Sequence, residues 1–357
     1  MRLCVPVIVV LLVLEASGAA SDPDASRLPR DTLPASPSPD VAPLGLAAGR
    51  VAAPDNPITV GKVALGRKLF FDPVLSLDRT ISCATCHDPR HGLAAHEPTA
   101  VGIMGRRGRR NAPTVFNAAL GQSFFWDGRA TSLEEQALKP IENPNELGNS
   151  VDEVLRRLRG DADYSGRFEA EFADGVTAAN LARAIASFER TLLVGDTRVD
   201  RFLAAQDRTL STAERQGLWL FDSRGRCWMC HAGPNFSDNK FHNTGVSWGK
   251  EPLDLGRFDV TKRDEDRGRF KTPTLRGVAH TGPYMHDGSI KTLREVIEFY
   301  NRGGGRNPNL DTAVQPLNLS SDDIDNLIAL LEALSEPATG SPKGRPDDRV
   351  NHEPQER

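Results

Sequence analysis

The pattern Cys-x-x-Cys-His occurs twice in this chain, as Cys83-Ala-Thr-Cys86-His87 and as Cys227-Trp-Met-Cys230-His231. The two thiols of such a motif can add to the two vinyl groups of one porphyrin. The next residue then holds an imidazole where it can ligate the iron from one face. A zinc site would more often pair such a thiol couple with a second couple or with spaced histidines, and a thioredoxin-like redox pair needs a βαβ context that neither stretch has. Each motif is therefore read as an attachment site for a c-type haem. Two haem faces can act as the core on which long loops pack, so the chain needs fewer regular elements than its length suggests. The question becomes what stands on the other face of each iron.

The amino terminus reads Met1-Arg2, then an apolar run over residues 3–14 and small residues up to Ala20. A short basic start, an apolar run too short to span a bilayer and a small-residue cleavage site predict a signal peptide over residues 1–20. Cys4 lies at the start of the apolar run, which argues against lipid attachment, and it leaves with the peptide. The four remaining cysteines all belong to the haem motifs, so no disulfide is expected. Export fits covalent haem attachment, which in bacteria takes place outside the cytoplasmic membrane; the expected location is the periplasm. Residues 21–56 are rich in Pro, Ala, Ser and Asp and predict a flexible linker, and residues 336–357 predict a disordered tail. No later run approaches a membrane span. A formal charge of −4 is near balance and argues against a nucleic-acid partner.

Strand signals are scarce and helix signals recur. Val151, Val154, Leu155 and Leu158 share one face of a helix over residues 151–159, and Leu181, Ile185, Phe188 and Leu192 share one over residues 178–194. Ser211-Thr-Ala-Glu214 and Thr292-Leu-Arg-Glu295 are capping boxes, the first opening a helix that runs to Phe221, the second a helix stopped by Gly303 to Gly305. A final helix begins at Ser321 and runs through Leu334. The expected fold is all-α, with two cytochrome c-like haem domains, long loops and few strands. The domain spans are 57–200 for the first and 201–335 for the second.

Several ordered motifs make the chain similar to a known family. Leu65-Gly-Arg-Lys-Leu-Phe-Phe-Asp-Pro73, the first haem motif, Asn111-Ala-Pro-Thr114, Phe125-Trp-Asp-Gly-Arg129 and Tyr284-Met-His-Asp-Gly288 resemble the bacterial dihaem cytochrome c peroxidase and MauG superfamily. The likeness covers almost all of residues 57–335. It implies a peroxidatic first haem held by Cys83, Cys86 and His87, an electron-transferring second haem held by Cys227, Cys230 and His231, and a Ca²⁺ ion between them. By register the Ca²⁺ ligands are Asn111, Thr281 and Pro283, an oxygen-rich set that suits the ion; on its residue type alone Asn111 could equally cap a turn.

The resemblance also places the rest of the site. Many members carry a distal His that caps the resting first haem; here that position falls on Ile103, which cannot ligate iron. Met104 could in principle do so through its thioether, and His91 and His96 are read as exposed loop residues. An open first iron is expected. Gln136 and Glu146 match the family's distal pair, with Glu146 as proton shuttle; taken alone, Glu146 would read as a solvated loop carboxylate. Trp126 takes the position between the haems, where an indole can relay electrons. Asp127 and Arg129 read as an ion pair or as propionate contacts, His286 as a propionate contact, and the run Arg106-Arg107-Gly-Arg109-Arg110 as a solvated loop.

Tyr300 stands where many dihaem peroxidases carry a Met, and in this it is similar to MauG. A thioether raises haem potential, whereas an anionic phenolate is a hard donor that favours higher oxidation states. The resemblance implies an enzyme that uses hydrogen peroxide as oxidant. Its outcome is either MauG-like oxidation of a protein substrate, such as a tryptophan side chain, or reduction of peroxide to water with electrons from a small periplasmic cytochrome or cupredoxin. Ile103 and Tyr300 favour the first. A non-catalytic dihaem electron carrier is the rival from a different class.

Overall fold

The computed structural model describes residues 28–33, 42–46, 53–205 and 210–336. The expected signal peptide, most of the linker and the tail beyond Glu336 lie outside the described residues. The fold is mostly helical, with one antiparallel pair of two-residue strands, β1 (Phe241–His242) and β2 (Phe270–Lys271). No helix among the described residues is long and apolar enough to cross a membrane.

The first half contains α1 (Val60–Phe71), α2 (Cys83–Cys86), α3 (Leu133–Glu142), α4 (Val151–Gly160), α5 (Ala162–Glu171) and α6 (Ala178–Glu189). α1 lies along α6, and Gly66 lets them meet: a Cβ there would sit 1.9 Å from the Ala184 carbonyl oxygen. Leu65, Leu69, Leu158, Phe168 and Leu181 fill the core beneath them. The second half contains α7 (Arg198–Leu203), α8 (Thr212–Asp222), α9 (Phe258–Thr261), α10 (Leu293–Asn301) and α11 (Ser321–Ala333). Here α8 meets α11 across Gly217, whose Cβ would fall 2.1 Å from the Asn326 carbonyl oxygen. Val199 on α7 already packs with Leu220, Leu330 and Leu334, so the change of core falls just before α7.

Both capping boxes form, at Ser211/Glu214 and at Thr292/Glu295. The helix expected over residues 178–194 stops at Glu189 instead. Beyond it the backbone turns to Asn117, whose N–H donates to the Leu192 carbonyl (2.8 Å) while its side-chain amide brackets the backbone of Val194. Two pieces of the expected linker are tied to the body. Asp31 pairs with Arg67, and the Gly45 carbonyl accepts from Arg276, a guanidinium 1% exposed and paired with Asp200.

One hairpin-like loop is built twice, at a constant offset along the chain. Asn117 (φ 57°) opens the 3₁₀ turn Ala118–Leu120, and Gly277 (φ 75°) opens Val278–His280. Phe124 bridges to Ala130 as Tyr284 bridges to Ile290. Phe125 and Met285 both take the left-handed conformation, as do Gly128 and Gly288. Ser132 then caps α3 and Thr292 caps α10. In this register Trp126 corresponds to His286, Gln136 to Val296 and Pro140 to Tyr300.

The halves are locked together by charge and backbone. Arg110 reaches Asp127 in the first half (2.6 Å) and Asp254 in the second (2.8 Å). Arg109 donates to the Leu253 carbonyl. The arginine run expected as a solvated loop is therefore partly an interdomain clamp. Asn111 N–H donates to the His286 carbonyl (2.7 Å), and Lys271 N–H to the Trp126 carbonyl (2.8 Å).

Candidate active site

Each Cys-x-x-Cys-His motif opens onto its own cavity. In the first, Cys83, Cys86 and His87 share the wall with Gln136, Pro140, Asn143, Glu146 and Arg129. In the second, Cys227, Cys230 and His231 face a wall that includes Tyr300. The His87 Nδ1 lies 3.2 Å from the Leu93 carbonyl oxygen, and the His231 Nδ1 lies 2.9 Å from that of Phe236. A carbonyl at Nδ1 fixes the ring and leaves Nε2 as the free donor atom, the arrangement an iron ligand needs. Burial lowers the pKa of both imidazoles, so both stand neutral and ready to ligate.

The two cavities differ in the donor atoms of their walls. The described residues lining the first cavity include no second His, no Met and no Tyr. Met104 is 67% exposed, and neither it nor His91 nor His96 borders the cavity. Ile103 does not face the cavity either. It is 1% exposed in the apolar core, and its N–H donates to the Glu146 carbonyl (3.0 Å). It thus steadies the loop that carries Glu146. The second cavity holds several candidate donors besides Tyr300, most of them engaged. Tyr284 donates its hydroxyl to the Val278 carbonyl, and His242 is clamped between Asp238 and Asp311. His286 stacks on Phe270 with ring centres 3.6 Å apart and lies 3.0 Å from the Ser247 hydroxyl.

Glu146 is held by Asn143, whose amide donates to it at 2.6 Å. Burial raises its pKa above the ordinary carboxylate value, opposed by the nearby Arg129 guanidinium and by that hydrogen bond. Gln136 reaches the same cavity from α3. Tyr300 projects from α10; burial raises its phenol pKa, while a hydrogen bond with Thr244 opposes the rise.

Asn111, Pro113, Thr114 and Trp126 line both cavities. The Trp126 indole N–H donates to the Asn111 carbonyl (2.9 Å) and its ring meets His286 edge-on at 6.4 Å. Trp126 is thus the aromatic side chain common to the two walls. Thr281 and Pro283 border the second cavity alongside Asn111. The Asn111 amide nitrogen donates to the Glu97 carbonyl, which turns Oδ1 the other way as the end that could take a cation. Asp127 accepts from Arg129 as well as Arg110, so the expected ion pair forms.

Two residues of the cavities escaped the sequence reading. Glu189, at the end of α6, is 6% exposed, borders the first cavity and has one carboxylate oxygen without a partner. Burial raises its pKa to about 8; Arg190 opposes this and Glu134 adds to it. No local signal marks it, since Glu189 is followed by Arg190 and reads as an ordinary charge at a helix end. Lys271 borders the second cavity, and its pKa is lowered to about 8 by burial, with Asp238 opposing. A buried amine beside an apolar cavity fits the carboxylate of a haem propionate, as Arg109 and Arg129 do in the first. Paired thiols, an oriented imidazole and cationic rims together suit one haem in each cavity.

Residues 61–208 match the family model described as di-haem cytochrome c peroxidase. The methylamine utilization protein MauG of Methylorubrum extorquens is 39% identical over 286 residues, which cover 79% of this chain and 81% of that protein. This chain belongs to the dihaem cytochrome c peroxidase and MauG family. The cytochrome c551 peroxidase of Pseudomonas aeruginosa is 36% identical, over 78% of this chain and 80% of its own. A crystal structure of a MauG-like protein associated with microbial copper homeostasis superposes with a TM-score of 0.74 at 30% identity, covering 85% of this chain and 95% of the other. Family membership makes the chain an oxidoreductase of the dihaem peroxidase type with two c-type haems. That sets aside the electron carrier without catalysis.

Proposed function

We propose that this enzyme takes hydrogen peroxide at the first haem, passes oxidising equivalents through a Tyr-ligated second haem, and oxidises a protein side chain, such as a tryptophan, in the manner of MauG. One observation carries the reading. At corresponding positions of the repeated loop, the second cavity presents Tyr300 and the first presents Pro140. Proline has no donor atom to offer a metal. That supports a first haem that His87 would ligate, with room for peroxide left in the cavity.

When bound, the haems supply the electron chemistry of peroxide reduction. The chain's residues supply the rest. Glu146 removes a proton from the oxygen that binds and returns one to the oxygen that leaves as water. A carboxylate with a pKa raised by burial suits that exchange near neutral pH. Gln136 orients the same molecule. Desolvation raises the Tyr300 phenol pKa, so loss of its proton to solvent would need a cation beside the oxygen to stabilise the phenolate, and the ferric iron of a second haem would supply it. Trp126 gives a route between the cavities. Asn111, Thr281 and Pro283 would hold a Ca²⁺ ion. The expected signal peptide and covalent haem attachment support a periplasmic location.

The second reading is reduction of peroxide to water with electrons from a small cytochrome or cupredoxin; relatives named as cytochrome c peroxidases support it. Titration of purified holoprotein with hydrogen peroxide tests the proposal. The expected result is a high-spin ferric signal at rest, reaction without prior reduction and retention of two oxidising equivalents until a protein substrate is added. Two low-spin haems that ignore peroxide until an electron arrives would overturn it. Rapid decay of the oxidised state with small redox proteins, and none with protein substrates, would favour the second reading.

A further inference from the structure

Three side chains with metal-binding atoms converge on the loop that follows the first haem motif. Asp88, His91 and His96 each offer one donor atom, and these atoms all lie within 4.8 Å of one another. None of the three borders either haem cavity. The loop is tight: His91 and Leu93 N–H groups both donate to the Asp88 carbonyl at 2.9 Å, and Gly92 turns the chain at φ 60°. The imidazoles of His91 and His96 stack with centres 4.9 Å apart. Asp88 is buried, His91 half-buried and His96 exposed, so the cluster is fixed at one end and open to water at the other. Of the two histidines expected as exposed loop residues, His96 is exposed and His91 is half-buried.

We propose that Asp88, His91 and His96 form a binding site for a divalent transition ion of the Zn²⁺ or Cu²⁺ class, with water completing the coordination. Two imidazoles and one carboxylate suit those ions, whereas Ca²⁺ and Mg²⁺ want oxygen donors throughout. The site has a resident competitor. Arg90 lies on Asp88, with its Nη2 2.6 Å from Oδ2, while the Arg90 backbone N–H holds Oδ1 at 2.8 Å. The Arg90 side chain is 66% exposed and can swing into water. The backbone bond would stay and keep the Asp88 carboxylate in place. Occupancy would also reach the first haem, because the Leu93 carbonyl that faces His87 Nδ1 belongs to this loop.

Calorimetric titration of chelator-treated, full-length holoprotein with ZnCl₂ is the test, with Cu²⁺ and its electron paramagnetic resonance spectrum as a second probe. One ion per chain is expected beyond any bound Ca²⁺. His91→Ala with His96→Ala should weaken binding at least about tenfold. Arg90→Ala should tighten it several-fold, because the ion no longer competes with a guanidinium for Asp88. The single variant His96→Ala, at an exposed position, carries the test if the double variant fails to fold. Zn²⁺ binding unchanged by the histidine variants would overturn the site. Affinity indifferent to Arg90→Ala would remove Asp88 from it and overturn the three-ligand assignment. Neither outcome bears on peroxide chemistry, so this proposal and the catalytic one fail separately.

Discussion

The two halves present the same loop to their cavities and differ in what hangs from it. Phe124-Phe-Trp-Asp-Gly-Arg-Ala130 and Tyr284-Met-His-Asp-Gly-Ser-Ile290 share a bridge, two left-handed residues and a capped helix that follows. From that helix the second half projects Val296 and Tyr300, an apolar wall and a hard donor. The first projects Gln136 and Pro140, an amide and a residue with nothing to coordinate. It adds Glu146 from a loop that Ile103 and Asn143 hold in place. On the proposed reading, one template serves a reactive pocket in one half and a closed relay in the other according to the side chains hung from it.

That comparison can be broken at its decisive position. Pro140→Tyr should make the first half resemble the second. The resting ferric protein should turn fully low-spin by paramagnetic resonance, and cyanide and peroxide should cease to bind without prior reduction. If the high-spin signal persists, the correspondence of Pro140 with Tyr300 is only a backbone one. Glu146→Gln should leave both haems attached and the first iron open. It should slow the stopped-flow reaction with peroxide by about 10²–10⁴-fold, the range for loss of a general acid–base group.

Tyr300→Met tests the other half. It should raise the second haem's potential in a spectroelectrochemical titration and shorten the life of the peroxide-oxidised state, with haem content by mass unchanged. Each 1.4 kcal/mol of lost stabilisation is about a tenfold change in population. If potential and lifetime match the parent, the phenol is not a ligand and simple peroxide reduction becomes the better account.

The smallest effect concerns Glu189, which has no equivalent role in the second cavity. Its folded pKa of about 8 exceeds its ordinary value of 4.5, so between these the folded state holds a proton that the unfolded state releases. Stability from this group is therefore greatest at low pH and falls as pH rises towards 8. Glu189→Gln should remove that slope, so that the unfolding temperature of the variant exceeds the parent's by more at pH 9 than at pH 6. Equal differences at the two pH values would mean the carboxylate is already ionised in the folded protein.

The capping boxes at Ser211 and Thr292 were legible because both partners of each hydrogen-bonded pair lie within four residues. The haem motifs were legible because their chemistry needs fixed spacing. α1 was not read as a helix: Val63, Leu65, Leu69 and Phe70 are buried on more than one side, which blurs the apolar stripe. α3 hid behind Pro140, which sits inside it and ordinarily ends a helix. The end of α6 depends on Asn117, far away in sequence, and no local pattern announces such a partner. Glu189 and Arg110 escaped for the same reason, since a charge looks solvated until the fold supplies what surrounds it.

The wall shared by the two cavities bears on how such a chain matures. Asn111, Pro113, Thr114 and Trp126 border both cavities, and Arg110 is fixed by Asp254. A chain emerging amino end first exposes Cys83 and Cys86 while Asp254, Lys271 and His286 are still to come. The first attachment reaction would then meet an unfinished pocket, and the pocket would close only after the carboxyl-terminal half arrives. A truncated first half would lack the partners that Arg110 and Trp126 find in the second.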